Sequence, residues 1–225
     1  MDNSGVLPGP WVQFGVGAAA VLATAMVARS HRVGPCEATT FRAVNGLPDS
    51  IYVPTWVIMQ LGTLGAAPAA AGAAWLAGES DLAVRLLAGG AGTWALSKLV
   101  KRMVRRPRPS VLLAGVRCRG HQAAGLGYLS GHAGVAVALG AAAMPHLGPA
   151  GRALVMTAVP VVGLSRIYVG AHLPLDVAGG AALGLMVDAG VVLVRDAHVS
   201  NASLASWRRA ASRVSGRPGP PPVRG

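Results

Sequence analysis

The chain has 225 residues, of which 52% are hydrophobic, 12% charged and 4% aromatic, and its formal net charge is +12. This length fits one domain. A soluble globular domain carries about a quarter charged residues, roughly twice the share here, so a water-soluble enzyme is disfavoured from the outset.

Charges are absent from Asn3 to Ala28, from Ser50 to Gly78 and from Gly120 to Gly151. A bilayer span needs about 20 largely apolar residues. The sequence therefore predicts about six spans: Trp11–Ala28, Tyr52–Leu76, Leu82–Val100, Leu129–Met144, Ala153–Tyr168 and His172–Val194. The expected fold class is all-α, a polytopic membrane protein whose membrane domain covers residues 1–194. The first span reads as a retained helix, because Met1–Pro10 holds only Asp2 and lacks the positive leader of a signal peptide. Abundant Gly and Ala within the spans suit close helix approach.

Between the first two spans, "CEATTFRAVNGLPDS" (Cys36–Ser50) predicts a short interfacial helix ending at Asn45–Gly46. Arg85 and Asp188 are odd charges inside the third and sixth spans; they form a buried polar pair or snorkel separately. The remaining basic residues concentrate in Lys98–Arg119 and in the tail, residues 195–225. The tail, ending in "SGRPGPPPVRG", is expected to be disordered. Anionic membrane lipids, not nucleic acid, account for the positive balance, since no nucleic-acid motif or Gly-rich nucleotide loop occurs. Individually, Lys98, Arg102, Arg105, Arg106, Arg117 and Arg119 read as solvated charges. As a cluster they attract a polyanionic lipid phosphate. His121 reads as polar surface, and Tyr128 as an entrance or interface residue. Cys36 and Cys118 fall on one side of the membrane, as a disulfide or as two thiols. No metal-ligand spacing involves them.

Alternating spans bring three polar clusters to one membrane face. "KRMVRRPRPS" (Lys101–Ser110) follows the third span, "LSGHAG" (Leu129–Gly134) opens the fourth, and "SRIYVGAHLPLD" (Ser165–Asp176) joins the fifth to the sixth. Lys101, Arg108 and Arg166 are donors without acceptor capacity, so their convergence calls for an anion. The planar Arg fork suits phosphate oxygens and Lys supplies a point charge. Ser130 and Gly131 open a helix, whose free N–H groups and dipole favour an anion. His172 and Asp176 are four apart, which on a helix puts them on one face, and Pro174 fits the first turn. An aspartate bonded to one imidazole nitrogen fixes the tautomer and leaves the other free to attack. His132, on the same surface, would protonate the leaving oxygen. Each piece alone has a bland reading as anchor, cap or chance; their order on one face carries the argument.

These residues resemble the signature of the type 2 phosphatidic acid phosphatase (PAP2) superfamily. Lys101, Arg108 and Pro109 match K-x6-R-P. Ser130, Gly131 and His132 match P-S-G-H, with Leu129 where the family usually has proline. Ser165, Arg166, His172 and Asp176 match S-R-x5-H-x3-D. The resemblance covers Leu82 to Val194. It implies a six-helix membrane fold with no metal or other cofactor. It also implies roles: His172 as nucleophile forming a phosphohistidine, Asp176 as its orienting partner and His132 as general acid. Lys101, Arg108, Arg166, Ser130 and Gly131 would bind the phosphoryl oxygens, supported by Pro109 and Ser165. The implied substrates are lipid phosphates: polyprenyl diphosphate or monophosphate, phosphatidate and phosphatidylglycerol phosphate. Three other functions fit less well: a phosphotransferase using the same intermediate, a vanadate-dependent oxidase and a non-catalytic lipid-phosphate-binding protein. Soluble haloperoxidases of the superfamily lack such apolar spans, and a binding module needs no nucleophile.

The positive-inside rule puts the basic tail, and by parity both termini, in the cytoplasm. The basic loop after the third span argues the other way, but phosphate binding is a separate reason for its charge. The site of this multi-pass cell-membrane protein is thus expected on the outer face, where a recycled polyprenyl carrier is the leading substrate.

Overall fold

The computed structural model describes residues 9–120 and 125–215, with side chains through residue 201. His121 lies outside the described residues. Among them every regular element is helical. Helix α1 (Pro10–Arg29) is followed by α2 (Pro35–Asn45), which ends at Gly46 as the sequence predicts. Helices α3 (Tyr52–Met59) and α4 (Ala66–Leu76) form one bent pair, broken after Gln60–Gly62 and turned by 68°. Then come α5 (Ser80–Val104), the single turn α6 (Pro109–Leu112), α7 (Gly131–Ala143), α8 (Pro149–Tyr168) and α9 (Pro174–Ser215). Prolines open α1, α2, α6, α8 and α9, where the missing N–H has no intrahelical partner to lose.

Helix α9 lies between α1 and α7, while α5 packs on α4, α7 and α9. One buried cluster joins Ala67, Ala71 and Ala74 of α4, Leu82, Ala83 and Leu86 of α5, and Val135, Leu139 and Ala142 of α7. A second joins Ala28, Val104, Tyr128, Leu129, Leu183 and Val187. Gly180 and Gly184 let the backbones of α9 and α7 touch. A Cβ on Gly180 would strike the Ser130 carbonyl, and one on Gly184 the Gly134 carbonyl. Large apolar side chains such as Trp11, Leu22, Met26, Trp75, Leu76, Leu154 and Met156 point outward, as a lipid-facing surface requires.

Among the described residues three helices are long and apolar enough to cross a bilayer, α1, α8 and α9 (through residue 201), and the α3–α4 pair makes a fourth if it is counted as one bent span. The third and fourth expected spans differ from this test for separate reasons. Helix α5 has the length but carries Asp81, Arg85, Lys98, Lys101 and Arg102. Helix α7 has 13 residues, about 20 Å of rise against a hydrocarbon core of about 30 Å. Helix α9 continues past Arg195 to Ser215, through much of the stretch expected to be disordered. Ala, Leu and Arg there favour helix, and the breakers Gly216 and Pro218 come only afterwards. Residues 216–225 lie outside the described residues.

Candidate active site

Four chain segments end at one place. Helix α5 delivers Lys101 near its C-terminus, and Arg105, in the left-handed region (φ 57°), closes it. Arg108 stands immediately before α6, with Pro109 as its first, buried residue. Ser130 is the N-cap of α7, so Gly131 and His132 are its first two residues. Arg166 lies in the last turn of α8, and His172 in the loop before α9. Lys101, Arg108, Gly131, His132, Arg166 and His172 line one cavity of about 310 Å³. Gly62, Thr63 and Leu64, at the break between α3 and α4, complete it with Trp94, Ser97 and Lys98 of α5. No acidic residue lines it among the described residues. A second cavity, about 170 Å³, lies against Arg108 and Arg166 and is lined also by Tyr52, Trp56 and Cys118.

Lys101 and Arg108 bond to backbone carbonyls, and Arg166 to a sulfur. Lys101 Nζ donates to the carbonyls of Gly127 (3.1 Å) and Leu126 (3.3 Å). Arg108 Nη1 donates to the Ala171 carbonyl at 2.8 Å. Arg166 Nη1 lies 2.8 Å from Met59 Sδ. Ser130 is fully buried and does not line the cavity. Its Oγ accepts from Ala133 N at 3.4 Å, and its N–H donates to the Asp176 carbonyl at 2.8 Å, tying α7 to α9. Ser165, also buried, bonds back to the Val162 carbonyl at 2.6 Å.

His172 is 3% exposed. Burial first, then the positive charges of Lys101, Arg166 and Arg108, hold its pKa well below the usual imidazole range, so the ring is neutral. Asp176 sits behind it, not in the cavity wall. The distance from His172 Nδ1 to Asp176 Oδ2 is 3.8 Å, beyond hydrogen-bond range, and Nδ1 has no partner. Asp176 instead accepts from Leu173 N at 2.8 Å and from Arg106 Nη1 at 3.0 Å. The direct tautomer-fixing bond expected from the i, i+4 spacing is thus an approach without a bond. The cause is local: Pro174 starts the helix, His172 precedes it, and the carboxylate caps the turn.

Several single-residue expectations change. Arg106 is a fully buried ion-pair partner, not a solvated loop charge; its neighbour Arg105 is exposed. Arg119 binds the carbonyls of Asn45, Leu47 and Tyr168 and the Asp49 carboxylate, pinning the end of α2. Tyr128 is buried, its hydroxyl 2.8 Å from Thr24 Oγ1 and 3.1 Å from the Val21 carbonyl, so it is neither an entrance nor an interface residue. Cys36 and Cys118 are both free and exposed. The sequence signal for Arg106 is weak, because seven other basic residues share the stretch Lys98–Arg119. Nothing local marks Glu37, its partner, because Asp49, Asp81 and Asp176 also stand in the first turns of helices.

Residues 82–200, about half the chain, match the family model described as the PAP2 superfamily. The chain is 39% identical over 106 residues to a decaprenylphosphoryl-5-phosphoribose phosphatase of Mycobacterium tuberculosis, found in two strains; the match covers 46% of this chain and 57% of the relative. The chain thus spans a little over half the length of these curated relatives. Two crystal structures share the fold. Aquifex aeolicus LpxE superposes with a TM-score of 0.61 at 21% identity, over 67% of this chain and 90% of that one. A transmembrane PAP2-type phosphatidylglycerolphosphate phosphatase from Bacillus subtilis gives 0.59 at 18% identity, over 82% and 97%.

Proposed function

Because the chain belongs to the PAP2 superfamily, we propose that it is a membrane lipid phosphatase, acting through a phosphohistidine on a lipid phosphate monoester or diphosphate. The observation that carries this reading is the cavity. Two histidines share it with Lys101, Arg108 and Arg166 and with no acidic lining residue among those described, a lining suited to a phosphoryl group.

In the proposed reaction the His172 nitrogen remote from Asp176 attacks phosphorus. As the N–P bond forms, the P–O bond to the lipid breaks, and the leaving oxygen takes a proton from His132. Water then attacks the phosphohistidine and gives a proton to His132, and the N–P bond breaks to free inorganic phosphate. Lys101, Arg108 and Arg166 balance charge on the transferring oxygens. The N-terminus of α7 at Gly131 adds its dipole. Ser130 supports this by capping α7, not by touching phosphate. No metal or cofactor enters the scheme.

A polyprenyl phosphate or diphosphate is the leading substrate. The name of the M. tuberculosis relative supports a polyprenyl chain and adds a lipid-linked phosphosugar to the candidates. An apolar groove of about 520 Å³ between α4, α5, α7 and α8 would take the lipid tail; Leu61 in its wall adjoins Gly62 of the cavity. We further propose six passes, α1, the α3–α4 pair, α5, α7, α8 and α9, with both termini cytoplasmic and the site outward. The basic residues beyond Arg195 support that orientation.

The test is phosphate release by purified protein and by His172→Ala, with chelator present. The panel holds polyprenyl diphosphate, polyprenyl monophosphate, a polyprenylphosphoryl-5-phosphopentose, phosphatidate and phosphatidylglycerol phosphate. Release on a polyprenyl substrate that vanishes in the variant is expected. Full activity of His172→Ala sinks the mechanism, and inhibition by chelator means a metal takes part.

A further inference from the structure

A second charged layer stands behind His172. The Arg106 guanidinium is fully buried and bridges two carboxylates. Its Nη1 lies 3.0 Å from Glu37 Oε1 and 3.0 Å from Asp176 Oδ1. Its Nη2 lies 2.8 Å from Glu37 Oε2 and 3.2 Å from the Arg32 carbonyl. Glu37 Oε1 also accepts from Leu175 N at 3.2 Å, in the first turn of α9. Neither Arg106 nor Glu37 lines the cavity. An ion-paired arginine this deep carries a large desolvation penalty, and the bond from Leu175 N to Glu37 already ties α2 to α9 without it.

We propose that Arg106 and Glu37 are positioning residues for the nucleophile, acting on His172 through Asp176; the proposal rests on His172 being that nucleophile. Arg106 holds Oδ1, so Oδ2 is the edge turned to the imidazole. Arg106 alone would cancel the charge of Asp176. Glu37 restores it, so the triad carries one net negative charge toward a ring that becomes cationic when its other nitrogen is phosphorylated. The groups facing His172 are then divided by sign: Lys101, Arg108, Arg166 and His132 on the cavity side, and the Asp176–Arg106–Glu37 triad behind.

The division gives a readout that a merely structural tie would not move. Glu37→Gln removes one negative charge and keeps the shape, so the acid limb of kcat/KM shifts to lower pH. Arg106→Gln leaves two carboxylates, so the same limb shifts to higher pH, each by about one pH unit. Arg106→Lys keeps the charge but loses the bidentate fork; its limb stays in place while kcat falls about tenfold or more with little change in KM. The same substrate serves every variant, so its own ionisation cancels. Size-exclusion profiles and melting temperatures identify any variant that fails to fold; if Arg106→Gln fails, the shift in Glu37→Gln decides. With His172→Ala inactive, profiles of Glu37→Gln and Arg106→Gln that superpose on the parent overturn the positioning role alone. An active His172→Ala overturns both this role and the mechanism it rests on.

Discussion

At the scale of single residues, burial assigns work that residue type does not. His172 is proposed to react because its ring is neutral at physiological pH. That neutrality comes from desolvation and three cations, none of which an isolated "AHLPLD" reveals. The expected outcome concerns its ring resonances. Isotope-labelled histidine should show His172 holding its neutral shift as pH falls through about 6.5, where exposed histidines titrate. A normal titration at that pH would remove the argument for a neutral nucleophile. The sign for stability follows: below about pH 6.5 the unfolded imidazole binds a proton that the buried ring refuses, so folding weakens as pH falls. Tyr128 makes the same point in reverse. It sits beside a signature motif, yet its hydroxyl serves only to fasten α1.

At the scale of elements, buried polar links set how helices are fastened. Asp188, fully buried in α9, accepts Arg85 of α5 through two bonds of 2.8 Å and Gln13 of α1 at 3.1 Å. The pairing of Arg85 with Asp188 was an open alternative in the sequence, and the structure chooses it. Gln13 is the partner that apolar periodicity hid. Three helices therefore meet at one carboxylate. Asp188→Ala alone leaves a guanidinium without its partner and should cost about 3–5 kcal/mol. The double variant with Arg85→Leu should be the less destabilised. Melting temperatures in detergent measure both, and additive losses would mean the pair contributes nothing as a unit.

At the scale of the whole molecule, the alternation of helices brings the ends of α5 and α8 and the starts of α7 and α9 to one cavity, and the same end of the molecule carries both cysteines. Cys118 lines a cavity with Arg108 and Arg166, and Cys36 adjoins Glu37 behind Asp176. Both are exposed, and they are the only cysteines of the chain. They are native reporters of orientation. If the site faces outward, a membrane-impermeant maleimide should label intact spheroplasts, and Cys36→Ser with Cys118→Ser should abolish the labelling. Labelling only after lysis would place the site inside.

The sequence by itself determined the all-helical class and drew attention to Lys101, Arg108, Gly131, His132, Arg166 and His172, which line the cavity. Both follow from local facts: apolar runs interrupted by charge, and motif residues at fixed spacing on alternating helices. It also placed the short helix before Asn45, because proline and glycine bracket it. Only the tertiary structure decided which charges are buried. Eight basic residues share the stretch Lys98–Arg119, and nothing local separates Arg106, enclosed by Glu37 and Asp176, from Arg105 in solvent. The same holds for the bend between α3 and α4 that puts Thr63 in the cavity. Burial and ion pairing join residues about 70 to 175 positions apart, and such contacts exist only once the helices have packed.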